Sequence, residues 1–106
     1  MKQLNEHLLE HVAHRFKLLG EPMRLRLLSV LYEGEHCVQE LVEKTGAGQA
    51  NISKHLSLLI KDDIVDRRKE GLRVFYFIQD ESIFNLCDIV CTKLEEESRK
   101  MSEAFD

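Results

Sequence analysis

The sequence predicts a mainly α-helical domain with a single β-hairpin. Apolar residues recur along residues 48–62 at the spacing that lines one side of a helix. A second helix begins about twelve residues earlier, at Val38, and residues 45–48 join the two through a short connection that contains two glycines. Two runs rich in β-branched and aromatic residues follow, at 64–68 and 73–78. Together these features predict a winged helix-turn-helix.

The whole chain, residues 1–106, has the size and composition of one soluble domain. It is 43% hydrophobic and 32% charged, and it is long enough to bury one core. It contains no run of about eighteen apolar residues that could cross a membrane, and its start lacks the pattern of a signal peptide. We therefore expect a cytoplasmic protein without a membrane partner. Its three cysteines lack the spacing of a disulfide framework, so we expect free thiols.

Charge is distributed unevenly along the chain. The net charge of -4 argues against a nonspecific nucleic-acid binder. From Gln49 to Tyr76, however, six Lys or Arg stand against four Asp or Glu, whereas from Phe77 onward three stand against eight. Because charges farther away than about 10 Å are screened, this local basic strip is compatible with selective DNA binding.

The first predicted helix covers about residues 4–19. Its apolar stripe consists of Leu4, Leu8, Val12, Phe16 and Leu19. A neighbouring stripe carries His7, His11 and His14, at a spacing that would let imidazoles share a metal ion. The alternative, which we favour over a metal site, is a solvated polar flank.

The second predicted helix covers about residues 23–33. Gly20 and Pro22 stand where the first helix ends and the second begins. The second helix is apolar on most sides, so we expect it to be the central core helix. After a short turn, Cys37 opens the first helix of the helix-turn-helix.

The helix at about 48–62 is the predicted DNA-reading helix. Its inner stripe is Ile52, Leu56, Leu59 and Ile60. Its outer surface carries short, uncharged or cationic side chains, which can hydrogen-bond base edges and phosphate oxygens. The candidate DNA-binding residues on this helix are Gln49, Asn51, Ser53, Lys54 and His55.

The predicted hairpin, at about 64–78, carries positive charge around its tip. The candidate DNA-binding residues on it are Arg67, Arg68, Lys69 and Arg73. A charged edge strand that resists aggregation would also explain them. Because the hairpin directly follows a reader helix, we favour a wing that touches phosphates or the minor groove.

The last predicted helix covers about residues 80–101. Its apolar stripe consists of Ile83, Cys87, Val90, Cys91 and Leu94. Such a stripe on a small domain needs cover, which the first helix supplies in part and a second copy of the chain supplies most simply for the rest. We therefore predict a homodimer built on the helices at about 4–19 and 80–101.

Segments at 21–28, 37–41, 49–56 and 67–78 together resemble the ArsR/SmtB family. The resemblance covers nearly the whole chain, and the ordered set is more specific than any one segment. It implies a small dimeric winged-helix repressor of prokaryotes. Such a repressor binds a palindromic operator in double-stranded DNA and releases it when a small inorganic effector binds.

The resemblance leaves the effector open. Arsenic and cadmium sensors carry two cysteines at the start of the helix before the reader, and only Cys37 matches them here. Zinc, cobalt and nickel sensors use histidines on the last helix, where this chain has Ser82 and Lys93. Sulfide and redox sensors pair a cysteine of the central helix, replaced here by Ser29, with one that matches Cys91.

Cys37, Cys87 and Cys91 are the candidate effector residues. Cys87 and Cys91 lie one turn apart, about 6 Å of rise, and their parallel side chains would strain a direct disulfide. Thiolates can share a soft ion more easily through metal–sulfur bonds of about 2.3 Å, with Cys37 as a third donor for arsenite, zinc or cadmium. A disulfide or polysulfide that includes Cys37 is the redox alternative, and plain core cysteines are the structural one.

These patterns separate the classes of function. The sequence shows no ordered nucleophile and base, no glycine-rich phosphate loop and no paired acidic cluster, so we do not expect an enzyme. A DNA-binding repressor regulated at thiols is the leading hypothesis. The alternatives are a helix-bundle interaction module that has lost DNA binding, which the net negative charge would favour, and a winged-helix regulator without a thiol effector.

Overall fold

The computed structural model describes residues 1–105 and has five helices and one two-stranded antiparallel sheet within them. In chain order the elements are α1 Glu6–Leu19, α2 Pro22–Tyr32, α3 Val38–Thr45, α4 Gln49–Lys61, β1 Val65–Glu70, β2 Arg73–Ile78 and α5 Ser82–Phe105. The predicted mainly α-helical fold with a hairpin wing is confirmed. No helix among the described residues is both long enough and apolar enough to cross a membrane.

Side chains and glycine set the helix boundaries. The Asn5 side chain accepts a hydrogen bond from the backbone N–H of Leu8 at 2.8 Å, so α1 begins after Asn5 and excludes Leu4. The Glu21 carboxylate caps α2 in the same way through the N–H of Arg24 at 2.9 Å. Gly46 ends α3 with a φ of 75°, a left-handed conformation that glycine adopts without steric cost.

The core lies where α2, α3, α4 and β1 meet. Its fully buried side chains are Leu27, Leu41, Ile52, Leu56, Leu59, Ile64 and Val65. Three of the four residues predicted for the inner stripe of α4 are among them, and the fourth, Ile60, is partly buried against the same cluster. The helix-turn-helix and the base of the hairpin therefore form one packed body.

The hairpin is longer and tighter than predicted. Lys69 pairs with Val74 and Glu70 with Arg73, so only Gly71 and Leu72 remain in the turn. Gly71 has a φ of 63°, which permits this short connection. His36 exchanges backbone hydrogen bonds with Tyr76 at 2.8 and 3.1 Å, so a single β-bridge ties the segment before α3 to β2.

Helices α1 and α5 keep large apolar side chains in solvent. These exposed side chains are Leu8, Leu9 and Phe16 on α1, and Ile89, Val90, Leu94 and Met101 on α5. Of the predicted α5 stripe, only Ile83 is buried. Rather than covering each other, α1 and α5 border a groove of 330 Å³, here called the α1–α5 groove, which is lined by Phe16, Leu19, Gly20, Leu25, Leu86, Cys87, Val90, Cys91 and Leu94.

Candidate nucleic-acid interface and thiol sites

The outer face of α4 presents polar and cationic side chains to solvent. Gln49, Asn51 and Lys54 are exposed and Ser53 is half-buried. Within the described residues, neither Lys54 nor Lys61 has an acidic side chain within ion-pairing distance. These ammonium groups are therefore free to meet an external anion.

His55 does not lie on this outer face, contrary to the prediction. Its side chain is buried, with 9% of the residue exposed, and its Nδ1 lies 3.9 Å from Oε2 of Glu21. Position 55 is three residues after Ile52 and four before Leu59, so it borders the apolar stripe and can turn into the core. His55 therefore links α4 to the start of α2 and is removed from the set of DNA-contacting candidates.

The cationic side chains of the hairpin divide into two pairs. Arg68 and Arg73 lie on one face of the hairpin, because Arg68 pairs across the strands with Phe75 and side chains alternate along a strand. Both guanidinium groups stack on the Phe75 ring, at 4.9 and 5.2 Å from its centre. Arg67 and Lys69 lie on the other face.

Arg68 is already neutralised within the chain. Its guanidinium donates to both carboxylate oxygens of Glu35 and, at 3.2 Å, to Glu70. The hydrogen bond to Glu35 is the main cause that raises the pKa of Arg68 above its ordinary value. Arg67 and Lys69 have no such acidic partner in the described part of the chain. Arg67 and Lys69 are therefore wing cations whose charge is available to DNA.

Arg73 is tied to a thiol. Its Nη2 donates to Sγ of Cys37 at 3.4 Å, and this contact raises the pKa of Arg73. Cys37 is the N-cap of α3, and its backbone N–H donates to Glu40 at 3.0 Å, which lowers the pKa of that carboxyl group. The thiol lines a groove of 570 Å³, here called the wing groove, with Val38, Gln39, Gln49, Ser53, Arg73, Val74 and Tyr76.

Cys87 and Cys91 lie on α5, away from the wing groove. Both line the α1–α5 groove and a second groove of 310 Å³, the α2–α5 groove, on whose other wall Ser29 lies. Cys87 is half-buried and Cys91 is exposed. Burial is the main cause that raises the pKa of Cys87, and the charges of Cys91 and Asp88 add to the effect.

The three thiols do not converge in one protomer. Cys37 lines the wing groove, whereas Cys87 and Cys91 line the grooves at α5. Among the described residues, no group of three or more His, Cys, Asp or Glu side chains could hold a metal ion. The predicted trigonal site of Cys37, Cys87 and Cys91 is therefore wrong for a single chain, because α3 and α5 lie against different parts of the body.

The histidines of α1 do not form a metal site either. His7 and His11 contact each other edge to face, with ring centres 4.6 Å apart. The Nε2 atom of His14 instead lies 3.0 Å from a carboxylate oxygen of Asp62. The stripe is thus split between a solvent-exposed pair and a residue that contacts the end of α4, so the alternative of a polar flank describes it better.

A polar cluster at the end of α4 was missed at the sequence level. Arg15 donates to Asp62 and Asp80, which lie 47 and 65 residues away in the chain. Such long-range pairs have no signal in local periodicity. The only hint in the sequence is an arginine directly before Phe16 of the apolar stripe of α1.

The fold and the cationic surface define a winged helix-turn-helix DNA-binding protein. A sequence model described as "Bacterial regulatory protein, arsR family" matches residues 21–67. An uncharacterised HTH-type transcriptional regulator of Methanocaldococcus jannaschii is 39% identical over 82 residues, which cover 76% of this chain and 92% of that protein. A biofilm growth-associated repressor of Xylella fastidiosa is 35% identical, over 76% of this chain and 71% of that one.

Solved structures agree with these relatives. The homodimeric winged helix-turn-helix DNA-binding domain of a Mycobacterium bovis protein, described as a possible ArsR-family transcriptional regulator, superposes with a TM-score of 0.76 at 30% identity, covering 91% of this chain and 92% of that one. The chain belongs to the ArsR family. It is a DNA-binding transcriptional regulator and not an enzyme.

Proposed function

We propose that the protein is a repressor that binds a palindromic operator as a homodimer and releases it when Cys87 and Cys91 react with an effector. One observation carries the DNA-binding half of this proposal. Lys54, Lys61, Arg67 and Lys69 have no acidic partner among the described residues, although acidic side chains outnumber basic ones in the chain as a whole. A run of unpaired cations along the reader helix and the wing fits a phosphate backbone.

The exposed apolar faces of α1 and α5 support the homodimer. Phe16 is 54% exposed and Ile89 69% exposed, and the two helices border the same open groove. Apolar patches of this kind mark interaction surfaces on small soluble proteins. A second copy related by two-fold symmetry would present the same patch and bury both, as in the homodimeric relative from M. bovis.

Each DNA-contacting residue has a distinct role in this proposal. Gln49, Asn51 and Lys54 lie in the first half of α4, the part of a recognition helix that meets base edges in the major groove. Lys61, Arg67 and Lys69 follow on the end of α4 and on β1 and contact phosphates. Two such surfaces in a dimer would meet half-sites about one helical turn apart.

Arg67→Ala is expected to weaken binding to every DNA sequence alike, because Arg67 contributes a free charge and no base contact. The slope of log Kobs against log salt should become shallower by about 1 per protomer. Arg68→Ala is the matched control: it should change the slope less, because Glu35 and Glu70 already neutralise Arg68. Fluorescence anisotropy over a salt series measures both, and a larger slope change for Arg68→Ala would contradict the assignment.

The position of Cys87 and Cys91 supports their role as the sensor. Cys91 is open to solvent, whereas Cys87 is half-buried with a raised pKa, so Cys91 is the thiol that reacts first. Both side chains lie at the grooves that flank the exposed face of α5. An adduct there would alter how α5 packs, and hence the spacing between two reader helices.

Two kinds of chemistry suit this pair. A thiophilic ion such as arsenite, zinc or cadmium would be bridged by the two thiolates, but residues 1–105 of one chain offer no third donor. Reactive sulfur or an oxidant would modify the thiols directly, and a bridge of several sulfur atoms would span the parallel side chains with less strain than a direct disulfide. Modification by reactive sulfur or an oxidant needs only the two thiols of Cys87 and Cys91, which line the same grooves.

Cys91→Ser is expected to abolish effector-driven release from DNA without changing DNA affinity in the absence of effector. Native mass spectrometry after exposure to arsenite, cadmium, polysulfide or peroxide, read beside anisotropy, identifies the adduct that causes release. Cys37→Ser is the control and should keep the full response, since Cys37 lines a different groove. Loss of the response in Cys37→Ser with a full response in Cys91→Ser would place the sensor at the wing groove instead.

A further inference from the structure

Arg15 of α1 contacts two other elements at once. Its Nε donates to Oδ2 of Asp62 at 2.9 Å, and its Nη2 donates to the backbone carbonyl of Asp62 at 3.3 Å. Its Nη1 donates to Oδ2 of Asp80 at 3.1 Å. His14 Nε2 contacts the second carboxylate oxygen of Asp62 at 3.0 Å. Every nitrogen of the guanidinium group is therefore used, and its planar shape fixes direction as well as distance.

The two aspartates lie at the ends of functional helices. Asp62 is the C-cap of α4, the reader helix, and Asp63 after it has a φ of 59°, an uncommon conformation for a residue with a side chain. Asp80 lies two residues before α5 and accepts hydrogen bonds from the backbone N–H and hydroxyl of Ser82. The Ser82 hydroxyl is the main cause that lowers the pKa of Asp80, and Arg15 contributes.

This cluster joins parts of the chain that otherwise contact each other little. The buried side chains of α1 are Leu18 and Leu19, at its last turn. Among the side chains of α5 whose burial the structure describes, only Ile83, in its first turn, is buried. Packing therefore anchors only one end of α1 and one end of α5. It does not fix the direction of either helix relative to α4. A three-way polar contact between α1, the end of α4 and the start of α5 supplies the missing constraint.

We propose that Arg15 is a positioning residue, which fixes the angle of the reader helix α4 relative to the dimerisation helices α1 and α5 through Asp62 and Asp80. In a dimer this angle sets the separation of the two reader helices, which must match half-sites about 34 Å apart. The inference rests on the proposed dimeric operator binding. It adds a residue through which the packing of α1 and α5 determines the distance between the two reader helices.

Arg15→Met removes the guanidinium group but keeps an unbranched chain that can cover the same surface. Lys17→Met is the matched control, because Lys17 lies on the same helix, loses the same charge and has no ion-pair partner in the described chain. Asp62→Asn tests the cluster from the α4 side. Circular dichroism melts check that each variant is folded.

The first readout needs no DNA. Spin labels are attached through a keto-bearing amino acid at Glu10 and Ser57, which are exposed positions on α1 and α4, and the labelled chain is diluted with unlabelled protein. Pulsed electron–electron double resonance then measures the distance between the two labels of one chain. We expect a narrow distribution for wild type and Lys17→Met, and a broader one for Arg15→Met and Asp62→Asn.

The second readout is spacing selectivity. Palindromes with half-sites separated by different numbers of base pairs are compared with a single half-site. Arg15→Met should lose at least about tenfold in affinity for the best spacing, the size expected from losing charge-assisted hydrogen bonds. It should bind the other spacings more evenly and keep the wild-type affinity for the half-site.

The two readouts separate failure of the inference from failure of the proposed function. An unchanged distance distribution in Arg15→Met, or an equal loss of half-site and palindrome binding, would overturn the positioning role. If wild type shows no operator preference while Arg15→Met and Asp62→Asn, but not Lys17→Met, broaden the distance distribution, the positioning role stands and the proposed operator binding fails.

Discussion

Leu94→Glu is expected to make the protein monomeric and to remove operator binding. Leu94 is 58% exposed in the single chain and lines the α1–α5 groove, where the proposed partner subunit packs. A carboxylate there would have to be desolvated without a partner in the dimer, at a cost of several kcal/mol. Because a dimer gains affinity by binding both half-sites together, the monomer should bind the operator at least about a hundredfold more weakly.

Sedimentation velocity and anisotropy measure these two effects on the same samples. Leu72→Glu is the matched control for assembly, since Leu72 is fully exposed at the turn of the hairpin and outside the proposed interface. We expect Leu72→Glu to remain dimeric. A dimeric Leu94→Glu variant would show that subunits meet through another surface.

Lys54→Ala is expected to reduce the preference for the operator over unrelated DNA without lowering thermal stability. Lys54 is exposed on the first half of α4 and has no partner among the described residues. A lost contact of this kind is worth about 1–3 kcal/mol per half-site, and a dimer loses two. Anisotropy with operator and scrambled duplexes, with a melt of each variant, gives both quantities.

His55→Ala provides the contrast at the neighbouring position. Because His55 is buried beside Glu21, its loss should lower the free energy of unfolding by about 1–3 kcal/mol and leave operator preference intact at low temperature. A stable His55→Ala variant that has lost operator preference would return His55 to the DNA-contacting surface.

Periodicity predicted the parts of the fold that depend on burial. The stripe of Ile52, Leu56 and Leu59 lies in the core as its spacing indicates, since the helical repeat fixes which side chains share a face. The apolar stripe of α5 correctly indicated a surface that one chain cannot cover, because Leu94 remains in solvent. The hairpin was also predicted, but its turn was predicted two residues too long, because Lys69 and Glu70 belong to β1.

Side chains at the edge of a face and contacts across the chain were not predictable. His55 borders the apolar stripe, where a small rotation of the helix decides between solvent and core. Arg68 is paired with Glu35, 33 residues away, so its charge could not be distinguished from that of Arg67 by sequence. The Arg15 cluster depends on the meeting of three helix ends, which only the tertiary structure shows.

The positions of the three cysteines were predictable only in part. The spacing of Cys87 and Cys91 placed them on one side of one helix, and they line the same grooves. Cys37 is separated from them because α3 packs against the wing, where Arg73 holds its sulfur. Spacing along one helix therefore predicted that Cys87 and Cys91 lie together. It could not predict where Cys37 lies relative to them.

Salt-dependent binding to an operator enriched from random duplexes is the most direct test of dimeric DNA reading by α4 and the wing. Two protomers per duplex, each with Lys61, Arg67 and Lys69 on phosphates, predict a slope of log Kobs against log salt of about -5, at about -0.9 per phosphate contact. The same protein should bind a scrambled duplex far more weakly at every salt concentration. A slope near zero, or equal affinity for the operator and the scrambled duplex, would contradict this function.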